Sequence, residues 1–307
     1  MNEPLSKLTN FATMNTNSFT RRRFLQVSLA SAVGLVLRPA QAAPVPQPKW
    51  GLCHGLSSAV FAKSAGYDFL ENSVSSLLVP AKSEAEFVAT LEAIRKSPLP
   101  FNSCNGFIPG ELKLTGPAPK TGEALAFAKI ALERAEQARI RFIVLGSGKA
   151  REIPTGFDPK KAREQFIEFC RQLGPLAARH QVTIVLEPLN RRETNFINRV
   201  SEGIDLVDQI REPAIQLLAD IYHMLQEDES PDSLRQAGPR LRHCHIAEKA
   251  KRTPPGFAGD DFKPYFRALK DIGYTAGLSI EAGPWAKEPV AEMTRARQVM
   301  AEQWSAA

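Results

Sequence analysis

Three acidic side chains and one imidazole fall at matching places along the second half of this chain. Glu187 ends the apolar run Val182-Thr183-Ile184-Val185-Leu186, and Asp220 ends Ile215-Gln216-Leu217-Leu218-Ala219. His245 sits two residues after His243 in Leu241–Ile246, and Glu281 ends Leu278-Ser279-Ile280. The separations are 33, 25 and 36 residues, each about one strand-plus-helix unit. If the four runs are successive parallel strands, their ends converge. Three carboxylates brought together repel one another unless protons or a cation compensate. Together with one imidazole they form a hard-to-borderline donor set. It suits one divalent ion, Mn²⁺ first and Mg²⁺ or Co²⁺ after it, rather than a structural zinc, which prefers Cys and His. Any one of these acids could equally cap a following helix. Four successive strands ending this way favour the metal.

The elements that must position these groups are short apolar runs alternating with longer helix-period segments. Strands are expected at Trp50–Cys53, Tyr67–Ser73, Phe101–Cys104, Arg141–Leu145, Val182–Glu187, Ile215–Asp220, Leu241–Ile246 and Gly277–Glu281. Helices are expected at Ser83–Lys96, opened by a Ser83-x-x-Glu86 capping box, and at Thr121–Gln137, Pro159–His180, Phe262–Asp271 and Pro289–Trp304. The helical pattern is faintest after the sixth and seventh strands. Repeated βα units imply a parallel sheet. An open nucleotide-binding sheet would want a glycine fingerprint after an early strand, and Gly146-Ser147-Gly148 comes late and lacks the third glycine. No phosphate-cradling G-x-x-x-x-G-K-[ST] occurs either. Eight units in this length fit a single α/β domain, a closed (β/α)8 TIM barrel, whose functional residues gather at the C-terminal strand ends. His54, ending the first strand, then faces the mouth as a candidate substrate contact. His243, one layer deeper, reads as structural.

The N-terminus is a different kind of sequence. Thr20-Arg21-Arg22-Arg23-Phe24-Leu25 precedes a 14-residue apolar run to Leu37, and Ala40-Gln41-Ala42 follows as an A-x-A cleavage pattern. That run is too short to span about 30 Å of hydrocarbon, which takes roughly 20 apolar residues. Residues 1–42 therefore read as a twin-arginine signal peptide, with residues 43–307 as the folded domain and export to the periplasm or beyond as the expected destination. The chain's net charge of +6 owes much to this leader. Without its five basic residues and one acidic residue, 34 basic and 32 acidic residues remain, a net +2. Nucleic-acid binding loses its compositional support. No stable membrane anchor is expected, and a homo-oligomer is compatible with the pattern. Cys53, Cys104, Cys170 and Cys244 show no C-x-x-C spacing and read as buried thiols, although an oxidising compartment permits a disulfide.

With these residues in view, the chain resembles the sugar phosphate isomerase/epimerase family, whose xylose-isomerase-like barrels include the ketose 3-epimerases. The resemblance runs over nearly the whole of 43–307. It is carried by Leu186-Glu187-Pro188-Leu189-Asn190-Arg191-Arg192-Glu193, Asp220-Ile221-Tyr222-His223-Met224, His243-Cys244-His245-Ile246-Ala247-Glu248 and Ser279-Ile280-Glu281. Asn105-Gly106-Phe107-Ile108-Pro109-Gly110 and Gly146-Ser147-Gly148 resemble the family's loops after the third and fourth strands. It implies metal ligands at Glu187, Asp220, His245 and Glu281, an acid–base pair in Glu187 and Glu281, and contacts to substrate oxygens from Glu193 and His223. Relatives often read H-x-G-E-x-N-R after the seventh strand. Here Ala250 replaces the asparagine, Lys251 holds the arginine position and Arg252 follows it. Lysine cannot reproduce a bidentate guanidinium fork, so Lys251 and Arg252 are both candidate substrate contacts and the sugar is left open.

The chemistry follows from the groups themselves. A metal chelating a carbonyl oxygen and the adjacent hydroxyl acidifies the C–H between them and stabilises the enediolate. Two carboxylates on opposite faces can take the proton from one side and return it on the other, which is epimerisation. Return to the neighbouring carbon gives aldose–ketose isomerisation. Expulsion of a β-substituent gives a lyase or hydratase acting on a keto-sugar or 3-keto-glycoside, the alternative that export strengthens. The expected partner is a small carbohydrate. A DNA-repair nuclease on the same barrel would need more histidines than the five present.

Overall fold

The computed structural model describes residues 47–283, 285 and 289–307. The leader expected at 1–42 lies outside the described residues. Eight strands run β1 Lys49–Cys53, β2 Phe69–Ser73, β3 Phe101–Asn105, β4 Phe142–Leu145, β5 Thr183–Leu186, β6 Ile215–Asp220, β7 Leu241–Ile246 and β8 Gly277–Ile280. Each pairs in parallel with the next, and β8 pairs with β1, closing the TIM barrel. The expected strands are all present within two residues at either end. Glu187 and Glu281 fall just past β5 and β8, because a side chain at the mouth leaves the ladder where the loop begins.

Helices follow the strands as the alternation requires. The longest are Thr121–Ala138, Pro159–Arg179 and Pro289–Ala306. The Ser83 capping box forms, with Ser83 accepting from the Glu86 amide and Glu86 reaching back to the Ser83 amide. After β6 the chain makes two short helices, Ile221–Gln226 and Asp232–Ala237. After β7 an irregular stretch precedes the helix Lys263–Asp271. No described helix is long and apolar enough to cross a membrane.

Two cores result. One lies between the barrel and its helices, where Trp50, Phe266 and Trp304 pack edge to face. The other fills the barrel itself. Val144, Val185 and Leu218 pack there with Phe142. On the side of β2, β3, β7 and β8, however, the interior holds Glu71, Ser103, His243, His245 and Ser279, all fully buried. Polar groups so buried must satisfy one another. Gly277 makes room for them: a Cβ there would stand 2.9 Å from His243 Nδ1 and from the Phe69 ring.

Candidate active site

Register places the four sequence-derived groups side by side. Asp220 of β6 pairs with His245 of β7, and Ile246 pairs with Ile280, the residue before Glu281. One ligand atom from each of Glu187, Asp220, His245 and Glu281 lies within 4.8 Å of all the others. His245 Nδ1 is 3.2 Å from Glu187 Oε1 and 3.4 Å from Glu281 Oε2. Asn105, at the end of β3, donates from Nδ2 to Glu281 Oε1 at 2.7 Å. Gly146, after β4, leaves the space that the Glu187 carboxylate fills.

The electrostatics of the cluster are divided. Burial raises Glu187, and the Glu281 charge adds to this against the pull of His245. Burial also pushes Asp220 up to about 7, although Arg252 opposes it. Glu281 goes the other way: burial is outweighed by His245 and Arg252, which bring it down to about 2. Two neighbouring carboxyls driven apart in this manner form a ready acid and base. A tight set of three carboxylates and one imidazole fits a divalent cation. A second grouping, Cys53, Glu71 and His245, is also close enough to chelate. Both Glu71 oxygens there already accept hydrogen bonds, so that grouping does not fit an ion.

Beside the cluster, His223 is buried and neutral. Burial, with Arg252 adding to it, pushes its pKa down to about 3. Its Nδ1 accepts from the Asn190 amide at 3.2 Å and from Asn190 Nδ2 at 2.8 Å, which puts the ring proton on Nε2. Nε2 lies 3.4 Å from Asp220 Oδ2 but has no hydrogen-bond partner. It is a spare donor at the edge of the carboxylate cluster. Glu193 is held by Asn190 Nδ2 at 3.1 Å and stands 3.6 Å from Arg252 Nη1.

Of the two candidate substrate contacts after β7, Lys251 and Arg252, the structure brings in one. Arg252 donates from Nη2 to Asp220 Oδ2 at 3.1 Å and to Glu281 Oε2, and lies over the Tyr222 ring at 4.6 Å. Lys251 is exposed and makes no ion pair among the described residues. Both residues have positive φ, 57° and 54°, and this turn aims one side chain inward and the other out. Buried Glu248 anchors the loop by accepting from Thr253 Oγ1 and the amides of Gly256, Phe257, Ala258 and Gly259. His54 lies at the mouth after β1, takes a hydrogen bond with Ser58 Oγ at 2.7 Å, and meets the Trp285 ring edge-on.

Three supporting residues were given no role of their own from the sequence. Asn105 ends a strand, as the four principal residues do, and the same rule applied to β3 finds it. Glu71 interrupts the apolar start of Phe69-Leu70-Glu71, a visible anomaly in a strand buried on both faces. Arg151 carries no such signal. It is fully buried and donates to the carbonyls of Leu145, Glu187, Phe196 and Ile197, tying the end of β4 to the loop that bears Glu187.

The family model described as a xylose isomerase-like TIM barrel matches residues 60–302. The D-psicose 3-epimerase of Enterocloster bolteae is 27% identical over 221 residues, 70% of this chain and 72% of that one. The 3-dehydro-D-guloside 4-epimerase of Escherichia coli is 30% identical over 128 residues, 41% of this chain and 48% of that one. Among solved structures, D-psicose 3-epimerase with D-tagatose from Clostridium cellulolyticum H10 has a TM-score of 0.71 at 22% identity, covering 83% of this chain and 98% of that one, a likeness of fold. The relatives are sugar epimerases.

Proposed function

The chain belongs to the xylose isomerase-like TIM-barrel family, and from that premise we propose that it is a metal-dependent epimerase of a ketose or a 3-keto-glycoside. The reading rests on four groups at successive strand ends, two of them carboxyls pushed in opposite directions. A divalent ion held by Glu187, Asp220, His245 Nδ1 and Glu281, Mn²⁺ by preference, would polarise the keto oxygen and make the neighbouring C–H acidic. Glu281, ionised and held by Asn105, takes the proton from that carbon. Glu187, whose carboxyl favours its proton, returns one from the other side, since β5 and β8 flank β6 and β7. His223 Nε2–H donates to the oxygen on which charge develops, and its low pKa keeps it neutral. Arg252 and Glu193 bind the sugar's other oxygens, with His54 and Trp285 at the rim.

The alignment with a 3-dehydro-guloside 4-epimerase favours including keto-glycosides among the substrates. In that reaction, as in a ketose 3-epimerase, the inverted carbon adjoins a ketone, and the two-carboxyl arrangement serves both. We further propose that residues 1–42 are an export leader, so that such glycosides are met outside the cytoplasm. Incubating the Mn²⁺-loaded protein with ketoses and 3-keto-glycosides tests the reading. The expected product is an epimer at the carbon beside the ketone, lost in Glu187→Gln and in Glu281→Gln. Release of aglycone without epimer would overturn it in favour of β-elimination.

A further inference from the structure

We propose that Glu71, deep inside the barrel, is the positioning residue of the metal site: it fixes which nitrogen of His245 faces the cluster, and so sets how tightly the cluster holds its ion. This rests on the metal reading above. Glu71 is fully buried on β2, and its two oxygens accept four hydrogen bonds. Oε1 accepts from His245 Nε2 at 2.9 Å. Oε2 accepts from Ser103 Oγ at 2.6 Å, His243 Nε2 at 2.8 Å and Ser279 Oγ at 3.0 Å. The donors come from β3, β7 and β8, so the carboxylate is clamped from three strands.

His243 holds the clamp from beneath. Its ring stacks on Phe142, with centroids 6.0 Å apart and planes 12° from parallel, and it occupies the space left by Gly277. Glu71 is thus held by hydrogen bonds to both of its oxygens and by packing around His243. With Nε2–H committed to Glu71, the remaining nitrogen, Nδ1, must face Glu187 and Glu281. A carboxylate on the far nitrogen of a ligating histidine fixes its tautomer and makes the near nitrogen a stronger donor to a metal. The barrel thus spends interior volume, usually given to branched apolar side chains, on the orientation of one ring.

Mn²⁺ titration of the full chain, followed by the loss of free-ion electron spin resonance, tests this. Wild type should bind one ion, and Glu71→Gln should weaken binding about 10- to 100-fold, the usual cost of losing such a partner. Val144→Ala, a core truncation elsewhere in the barrel, should leave the dissociation constant unchanged, which separates positioning from general loosening. Nitrogen-15 spectra of His-labelled wild type with Zn²⁺ give a readout that needs no variant: His245 should carry its proton on Nε2. Wild-type affinity in folded Glu71→Gln, or a His245 proton on Nδ1 in the loaded protein, would overturn the role of Glu71. Failure of wild type to bind any divalent ion would instead bring down the metal reading and the proposal with it.

Discussion

Replacing Gly146 by alanine adds one methyl group at the point where β4 gives way to its loop. That methyl would overlap Glu187 Oε2 and stand 3.4 Å from the carboxyl carbon and 3.7 Å from Leu189 Cδ2. Gly146 does not have a positive φ, so the backbone accepts alanine and the conflict is purely steric. Relieving it requires the carboxylate to move by about 1 Å, and a displacement of that size in a catalytic group costs about 10²-fold in rate. Overpacking at a buried position costs about 1–3 kcal/mol of stability, which a domain of this size survives. The assay is kcat/KM for epimerisation together with Mn²⁺ affinity, on protein whose circular dichroism matches wild type. Both should fall, kcat/KM by about 10²-fold. Unchanged kcat/KM and affinity in folded protein would mean that the Glu187 carboxylate does not work from the position beside Gly146.

Other perturbations have defined directions. Asp220 titrates at about 7 against an ordinary 3.8, so in EDTA-treated protein the cost of burying its charge is in force above pH 7 and relieved as pH falls towards 3.8. Glu281, brought down to about 2, contributes stability that is lost only as pH falls below about 4.5, so it does not oppose this trend at neutral pH. Below about pH 6.5 the unfolded chain protonates histidines that the fold keeps neutral, His223 among them, which opposes the trend. The Tm with EDTA should therefore rise from about pH 8 to about pH 6.5, and saturating Mn²⁺ should remove the rise; calorimetry checks both. Arg252→Gln removes a cation that already bonds to Asp220 and Glu281 and should tighten Mn²⁺ binding about tenfold, measured by titration, because charge-assisted bonds need no longer be broken. His223→Phe should lower kcat with little change in Mn²⁺ affinity, since its Nε2 is outside the four-residue cluster. If residues 1–42 are a leader, the intact mass of exported protein should begin at Ala43, and changing Arg21 and Arg22 to Lys should leave the precursor uncleaved.

The sequence is most legible where local pattern and tertiary role coincide. The end of β6 was readable because an apolar run stops at Asp220, that of β7 because His243 and His245 alternate along one strand, and both strands' bounds agree with the structure. The helix Val200–Ile210 was not singled out, for a physical reason: Arg199 gives it no side-chain cap, and Gly203 sits inside it. The missing cap comes from Glu229, which accepts from the amides of Val200 and Ser201 across 28 or 29 residues. Gly203 is needed because a Cβ would stand 2.6 Å from Leu217 of β6. The choice between Lys251 and Arg252 was similarly hidden, since it depends on a turn held by Glu248 through amides up to Gly259. Arg151 bonds only to backbone carbonyls, and no residue type in the sequence marks those.

The most direct measurement is turnover of a keto-sugar in D₂O, followed by mass spectrometry and NMR, with Mn²⁺ and after chelation. Proton transfer through Glu281 and Glu187 requires the epimer to carry one solvent deuterium at the inverted carbon, formed with Mn²⁺ and not after chelation. Epimer without solvent deuterium, or undiminished turnover after the ion is removed, would contradict the proposed chemistry.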